Sequence, residues 1–244
     1  MQIRLFVVGA FLAVASVSSA DIVLNQLDFA QATQHGIQAS QDFEAANNSF
    51  DVIVIDDFTV TASQLNVINV EAMITGFAGF VASSYTDGSV MGYHVEFYTS
   101  TGAAAGNLIG NAGSAFVAPG AVTLNNPGFS GTYATARHIQ IPVNITLPGA
   151  GTYWVGVSAV MNFTPSGQLG VNTTNLVLGN QNGGQANPGG GFSFPGNFQQ
   201  GFTGATGIEQ RDAQYLVEAV PEPGSMIALG LGAAALLARR RRKA

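Results

Sequence analysis

Carboxylates, histidines and aromatic rings are the side chains of this 244-residue sequence that could do chemistry. Carboxylates dominate: residues 21–220 hold 13 acids against two bases, Arg137 and Arg211. Asp56 and Asp57 are neighbours, so on a strand they point to opposite faces. They cannot together flank one glycosidic bond, as the acid pair of a glycosidase must. Asp56 shares a face with Val54 and Phe58 and reads as a buried, hydrogen-bonded structural acid. Secreted sandwiches also ligate calcium through Asp and backbone oxygens. Asp56 and Asp57, then Asp51 and Glu71, are the candidates for that metal, although no Asp-x-Asp-x-Asp loop occurs. Calcium apart, no cofactor is expected.

The histidines, His35, His94 and His138, show no metal-site spacing and no His-Glu-x-x-His. His94 and His138 fall on predicted polar strand faces and read as solvated. No Gly-x-Ser-x-Gly elbow marks a catalytic serine. The absence of cysteine excludes disulfides, thiolate metal sites and a Cys nucleophile. Residues 21–220 contain no Lys, which excludes a Schiff base or a phosphate-gripping lysine there. With so few cations this acidic body cannot offset phosphates, so nucleic acid is not an expected partner. Sugar platforms use exposed aromatic rings with a wet polar tip. The single Trp, Trp154, alternates with Tyr153 on a predicted strand, and both a core and a platform reading fit it. The six tyrosines form no stripe.

The strongest pattern lies in residues 220–244, VPEPGSMIALGLGAAALLARRRRKA. Pro221 and Pro223 fix φ and disfavour helix in the residue before each, so Glu222 is held extended. Ser225 is placed to cap a helix over the uncharged run Met226–Ala238. At about 1.5 Å per residue that helix reaches roughly 20 Å, short of a hydrocarbon core of about 30 Å. It suits a transient anchor whose flanking cations snorkel. Arg239, Arg240, Arg241, Arg242 and Lys243 form a membrane stop on the cytoplasmic side.

This three-part tail resembles the PEP-CTERM sorting signal in the order, position and spacing of Val220-Pro221-Glu222-Pro223, the apolar run and the Arg cluster. The resemblance covers about a tenth of the chain. It implies a processing signal at Pro221, Glu222 and Pro223, read by an exosortase-type membrane protease in a Gram-negative, exopolysaccharide-making cell. It implies passage through a transient inner-membrane anchor to the cell surface or extracellular matrix. One departure is Gly224 ahead of Ser225, where Ser or Thr often follows the motif directly.

Residues 1–20 carry Arg4, an apolar run from Leu5 to Val17 and the small residues Ser18-Ser19-Ala20. That is a secretory signal peptide with a cut expected after Ala20. Between the two ends, residues 21–219 read as one domain built from strands. Arg137–Leu147 places Ile139, Ile141, Val143, Ile145 and Leu147 on one face. Pro142 cannot donate to a ladder, so that strand is expected at an edge or bulged. Asn66–Phe77 places Ile68, Val70, Ala72 and Ile74 together, and Thr152–Phe163 does the same with Tyr153, Val155, Val157, Ala159 and Met161. A helical turn is expected near Phe29–Ile37. Gly and Pro turns join the strands, for example Thr86-Asp87-Gly88 and Pro148-Gly149-Ala150-Gly151. The expected fold class is all-β: an antiparallel β-sandwich, jelly-roll-like. Phe50–Phe77 resembles the opening strands of secreted bacterial β-sandwich domains that travel with varied anchors.

Gly179–Gly207 departs from alternation and is rich in Gly, Asn and Gln, with Phe192, Phe194, Phe198 and Phe202. Either its phenylalanines pin a loop to the sandwich, or they form a ligand-stacking surface. The sequence thus predicts a non-enzymatic exported protein of the surface or matrix, associated with exopolysaccharide or biofilm. Its polar, uncharged Asn, Gln, Thr and Ser suit hydrated polysaccharide. A secreted carbohydrate-binding module or a secreted hydrolase are the rival classes.

Overall fold

The computed structural model describes residues 19–102, 104–109, 113–174, 183–192, 198–204, 207–221 and 232. The first strands are β1 (Asp21–Asn25), β2 (Gln34–Ala39), β3 (Gln41–Phe43), β4 (Ile53–Val60), β5 (Asn66–Phe77) and β6 (Val90–Ser100). There follow β7 (Ala105–Leu108), β8 (Ser114–Val117), β9 (Thr123–Asn125), β10 (Arg137–Thr146), β11 (Gly151–Met161) and β12 (Gln168–Thr174). The last are β13 (Gly184–Ala186), β14 (Gln199–Gln200), β15 (Phe202–Gly204), β16 (Gly207–Glu209), β17 (Asp212–Ala213) and β18 (Tyr215–Val220). Two sheets pack face to face as an all-β sandwich. The first runs β1-β18-β5-β10-β9, with β12, β2 and β17 continuing from β5; the second runs β14-β13-β4-β11-β6-β7, with β3 beside β11 and β8 beside β6.

The core is built by the alternating strands. Tyr153, Val155, Val157, Ala159 and Met161 of β11 all face Val70, Ala72, Ile74, Ile139 and Ile141 of the opposite sheet. The β10–β5 ladder shifts register between Pro142 and Ile145, the bulge that a proline without an N–H requires. Across that bulge Val67 takes the inward position and Ile68 is left half-buried, a correction to the uninterrupted alternation expected of Asn66–Phe77. The turn expected near Phe29–Ile37 is a 3-10 turn at Gln31–Thr33, after which the chain extends as β2.

The described residues between 183 and 209 are not structureless. β13 pairs with β4 and β14, and β15 pairs with β16. Phe202 enters the main core, Phe198 packs edge-on against Trp154 at 5.0 Å, and Phe192 meets Phe50 at 5.5 Å. Phe194 lies outside the described residues. The described phenylalanines therefore pin this segment to the sandwich. A second, smaller core results on the outer face of the second sheet, where Trp154 and Ile53, Ile55 and Ala186 lie beneath Phe198.

Two strands part company inside the second sheet. β11 pairs with β4 as far as Val157 opposite Val54, then turns to β3, its parallel neighbour. The backbone groups freed at this fork are recovered by two hydroxyls. Ser40 Oγ accepts from Val54 N–H at 2.9 Å and donates to Val157 C=O at 2.5 Å. Tyr215, reaching across from β18, donates to Val54 C=O at 2.7 Å and accepts from Val157 N–H at 3.2 Å. Burial pushes the Tyr215 phenol up, Asp56 adds to this, and the proton it donates is therefore held at neutral pH.

β1 and β18 are antiparallel neighbours, with Asp21 opposite Ala219. The chain enters the sandwich at Asp21 and leaves it at Val220 at the same corner.

Candidate functional site

The sorting segment emerges from a fixed strand. β18 is hydrogen-bonded on both sides, to β1 and to β5, with Val220 opposite Asn66. Its outward Glu218 accepts from Asn69 at 3.1 Å. Pro221 follows at once and is half-buried, so the folded domain meets the motif with no intervening stalk. At the other end Ala20 is exposed, one residue ahead of β1. Glu222, Pro223, Arg239, Arg240, Arg241, Arg242 and Lys243 lie outside the described residues, as does the apolar run except Gly232. Among the described residues no helix is long and apolar enough to cross a membrane.

The candidate calcium ligands are placed apart. Asp56 is fully buried between the sheets, where its carboxylate accepts from Ala213 N–H at 2.6 Å and Asp57 N–H at 2.8 Å. Asp57 is buried on the opposite side of β4, as strand geometry demands. Asp51 accepts from Phe43 N–H at 2.7 Å beside β3. Glu71 lies on the outer face of the other sheet. Among the described residues no three His, Asp or Glu side chains gather as metal ligands.

His138 is not solvated, contrary to its predicted polar face. It is 9% exposed, its Nε2 lies 2.6 Å from Glu71 Oε2, and the Phe29 ring meets it edge-on at 5.1 Å. Glu71 also accepts from Asn69 at 2.9 Å and Gln140 at 3.1 Å. The cause is the return of residues 26–34 over this face, held by Asp28 N–H to Gln214 at 3.0 Å and Gln34 to Asp28 C=O at 2.7 Å. His35 sits 3.7 Å from Glu209, which also takes Arg211 at 3.0 Å.

A groove of about 350 Å³ opens over the fork of the second sheet, within the size range of small-ligand sites. Its floor is the outward row of β6, His94, Glu96 and Tyr98, with Ser158 of β11 in register with His94. Asp42 of β3, Asp51, Ala186 and Pro188 also line it. His94 Nε2 lies 3.3 Å from Asp42 Oδ2. Tyr98 donates to Glu96, and burial together with the Glu96 charge keeps its phenol protonated. Burial raises the Asp51 carboxyl, with the Phe43 N–H opposing and Asp42 and Glu44 adding to it. Outside the rim, Phe116 of β8 is 55% exposed and its ring centre is 5.4 Å from that of His94. It lies across Gly92, where an added Cβ would come within 2.4 Å of the ring.

None of Asp42, Glu96, Tyr98 or Phe116 stood out in the sequence. His94-x-Glu96-x-Tyr98 was the available signal, a period-two polar row on an otherwise apolar strand. Trp154, the ring whose sequence allowed a platform, is wholly buried.

The hydrogen bond to Asp42 is the main cause that raises the His94 pKa above its ordinary 6.5, against some loss from burial. A raised histidine stabilises the fold fully below the unfolded value, and this contribution disappears as pH rises through the folded one. In an NMR titration His94 is expected to titrate above 6.5, and Asp42→Asn to bring it down towards that value. An unchanged midpoint in the variant would refute the pairing.

Neither a curated protein nor a solved structure matches the chain. Residues 219–243 match the family model of the PEP-CTERM protein-sorting motif, starting at the penultimate residue of β18. The strand that ends at Val220, the Pro-Glu-Pro behind it and this match together make the chain a PEP-CTERM protein, exported and bearing a membrane-anchoring sorting signal that exosortase processes.

Proposed function

We propose that the sandwich is the working cargo, a non-enzymatic protein released at the cell surface or into the extracellular matrix, where it associates with exopolysaccharide. The observation that carries this reading is the Pro-Glu-Pro set directly behind β18, which leaves the sorting segment from Pro221 onward separable from a sheet already complete at Val220. The sparse charge of the body and its polar, uncharged side chains support contact with hydrated polysaccharide. The extracellular product is expected to end near residues 220–225 by mass spectrometry. Replacing Pro221, Glu222 and Pro223 with Ala should leave the full-length chain in the inner membrane. An intact Arg239–Lys243 tail in the extracellular fraction would overturn the reading.

A second reading is favoured by one observation: the groove gathers Asp42, Asp51, Glu96 and His94, as a secreted hydrolase requires. In the serine-hydrolase arrangement the base turns Nε2 to the nucleophile and Nδ1 to the acid. Here Nε2 faces Asp42, which runs against that arrangement. Release of reducing ends from polysaccharide, abolished by Glu96→Gln, would establish this alternative.

A further inference from the structure

We propose that the groove over the β3–β4–β11 fork, together with the Phe116 ring that packs on His94 just outside it, binds an amino-bearing sugar unit of a polysaccharide. The proposal rests on the reading that the released domain meets exopolysaccharide, and it names the sugar class.

Charge decides first. Asp42, Asp51 and Glu96 face the groove, and His94 is the single basic side chain lining it. Neither arginine of the body, Arg137 or Arg211, contributes. The groove remains negative even with His94 protonated. It repels uronate- or sulfate-bearing chains and attracts an ammonium. The described residues gather no metal-ligand set that would neutralise it instead.

Shape decides next. Phe116 is among the large apolar side chains left exposed in the described residues, and Gly92 leaves room for its ring to close against β6, where a Cβ would come within 2.4 Å of it. An open aromatic face beside a polar groove suits the C–H face of a pyranose. Ser114 and Ser158 add hydroxyls to the lining. A simple cation would use the acids and at most a cation–π contact, and would bring no C–H face to the ring. A neutral sugar would use the ring and leave the excess negative charge unmatched. A 2-amino sugar uses both.

The test titrates the full chain, held in a polyoxyethylene detergent that carries no sugar headgroup, with a glucosamine tetramer. Fully N-acetylated tetramer, cellotetraose and tetralysine serve as comparators. The glucosamine tetramer is expected to bind about tenfold more tightly than each comparator. Glu96→Gln and Phe116→Ala are each expected to weaken it about tenfold, with unfolding temperature checked for both. Phe116→Leu, which keeps bulk without a π-face, should behave as Phe116→Ala does. Equal binding of the acetylated or glucose tetramers, tighter binding of tetralysine, unaltered affinity in the variants, or no binding of the amino tetramer would each overturn the proposal. Groove variants that lose the tetramer while the protein still fractionates with the matrix would separate this site from the broader reading. Tetramer binding by a protein never found in the matrix would sink the broader reading alone.

Discussion

Tyr215→Phe is expected to lower stability by about 3 kcal/mol, although only one oxygen is removed. The loss leaves the Val54 carbonyl and the Val157 N–H unpaired at the fork between β4 and β11. Each buried backbone group left without a partner costs about 1–3 kcal/mol. For a domain of this size that corresponds to a fall of about 6–12 °C in unfolding temperature. Ser40→Ala should act similarly, because Ser40 serves the other two groups of the same residues. The two substitutions together are expected to fall short of their sum by 0.5 kcal/mol or more, as for neighbours sharing partners. Calorimetry on the four proteins of the cycle measures both effects. A shift under about 2 °C for Tyr215→Phe would show that the fork does not depend on the hydroxyl.

Asp56→Ala should be comparably severe, about 3–5 kcal/mol, since the Ala213 and Asp57 N–H groups lose their acceptor inside the core. The pH dependence has a definite sign. Burial first, then the charge of Asp212, raise the Asp56 carboxyl well above 3.8, while the two N–H donors oppose them. The folded state therefore holds this proton more tightly than the unfolded chain does. The contribution is full below about pH 3.8 and is lost as pH rises through the folded-state value. Asp56→Asn removes the titration and retains one acceptor oxygen. The difference between wild type and this variant should shrink or change sign as pH rises across that window, as followed by urea unfolding. A difference independent of pH would place the carboxyl at its ordinary value.

Strands that cross the whole sandwich were legible because one face is core along their length. Tyr153 to Met161 shows this, and so does the inward placement of Asp56 between Val54 and Phe58. Gln34–Ala39 and Gln41–Phe43 were not legible. Most of their residues are polar or glycine, Ile37, Ala39 and Phe43 excepted, and their pairing comes from distant partners, β12 and β11. β13 to β16 are two or three residues each and lie in low-complexity sequence, so packing of Phe198 and Phe202 fixes them where pattern cannot. The groove was hidden for the same reason. Its acids come from β3, β6 and the turn before β4, and only the fork brings them side by side. His138 misled because alternation reports which face a residue takes, and another segment then covered that face. The sorting segment was readable in full, since its meaning resides in order and composition and needs no tertiary partner.

The pairing of Asp21 with Ala219 has a mechanical consequence. Load applied between the two exits acts at one end of an antiparallel ladder, so it falls on a single pair at a time. Such a seam opens like a zipper at low force, where pulling along the strands would have to break every bond together. A pull on the segment behind Val220 against a held Asp21 can therefore peel β18 from β1 stepwise, and the same seam recloses from Leu216 and Asn25 once tension is released.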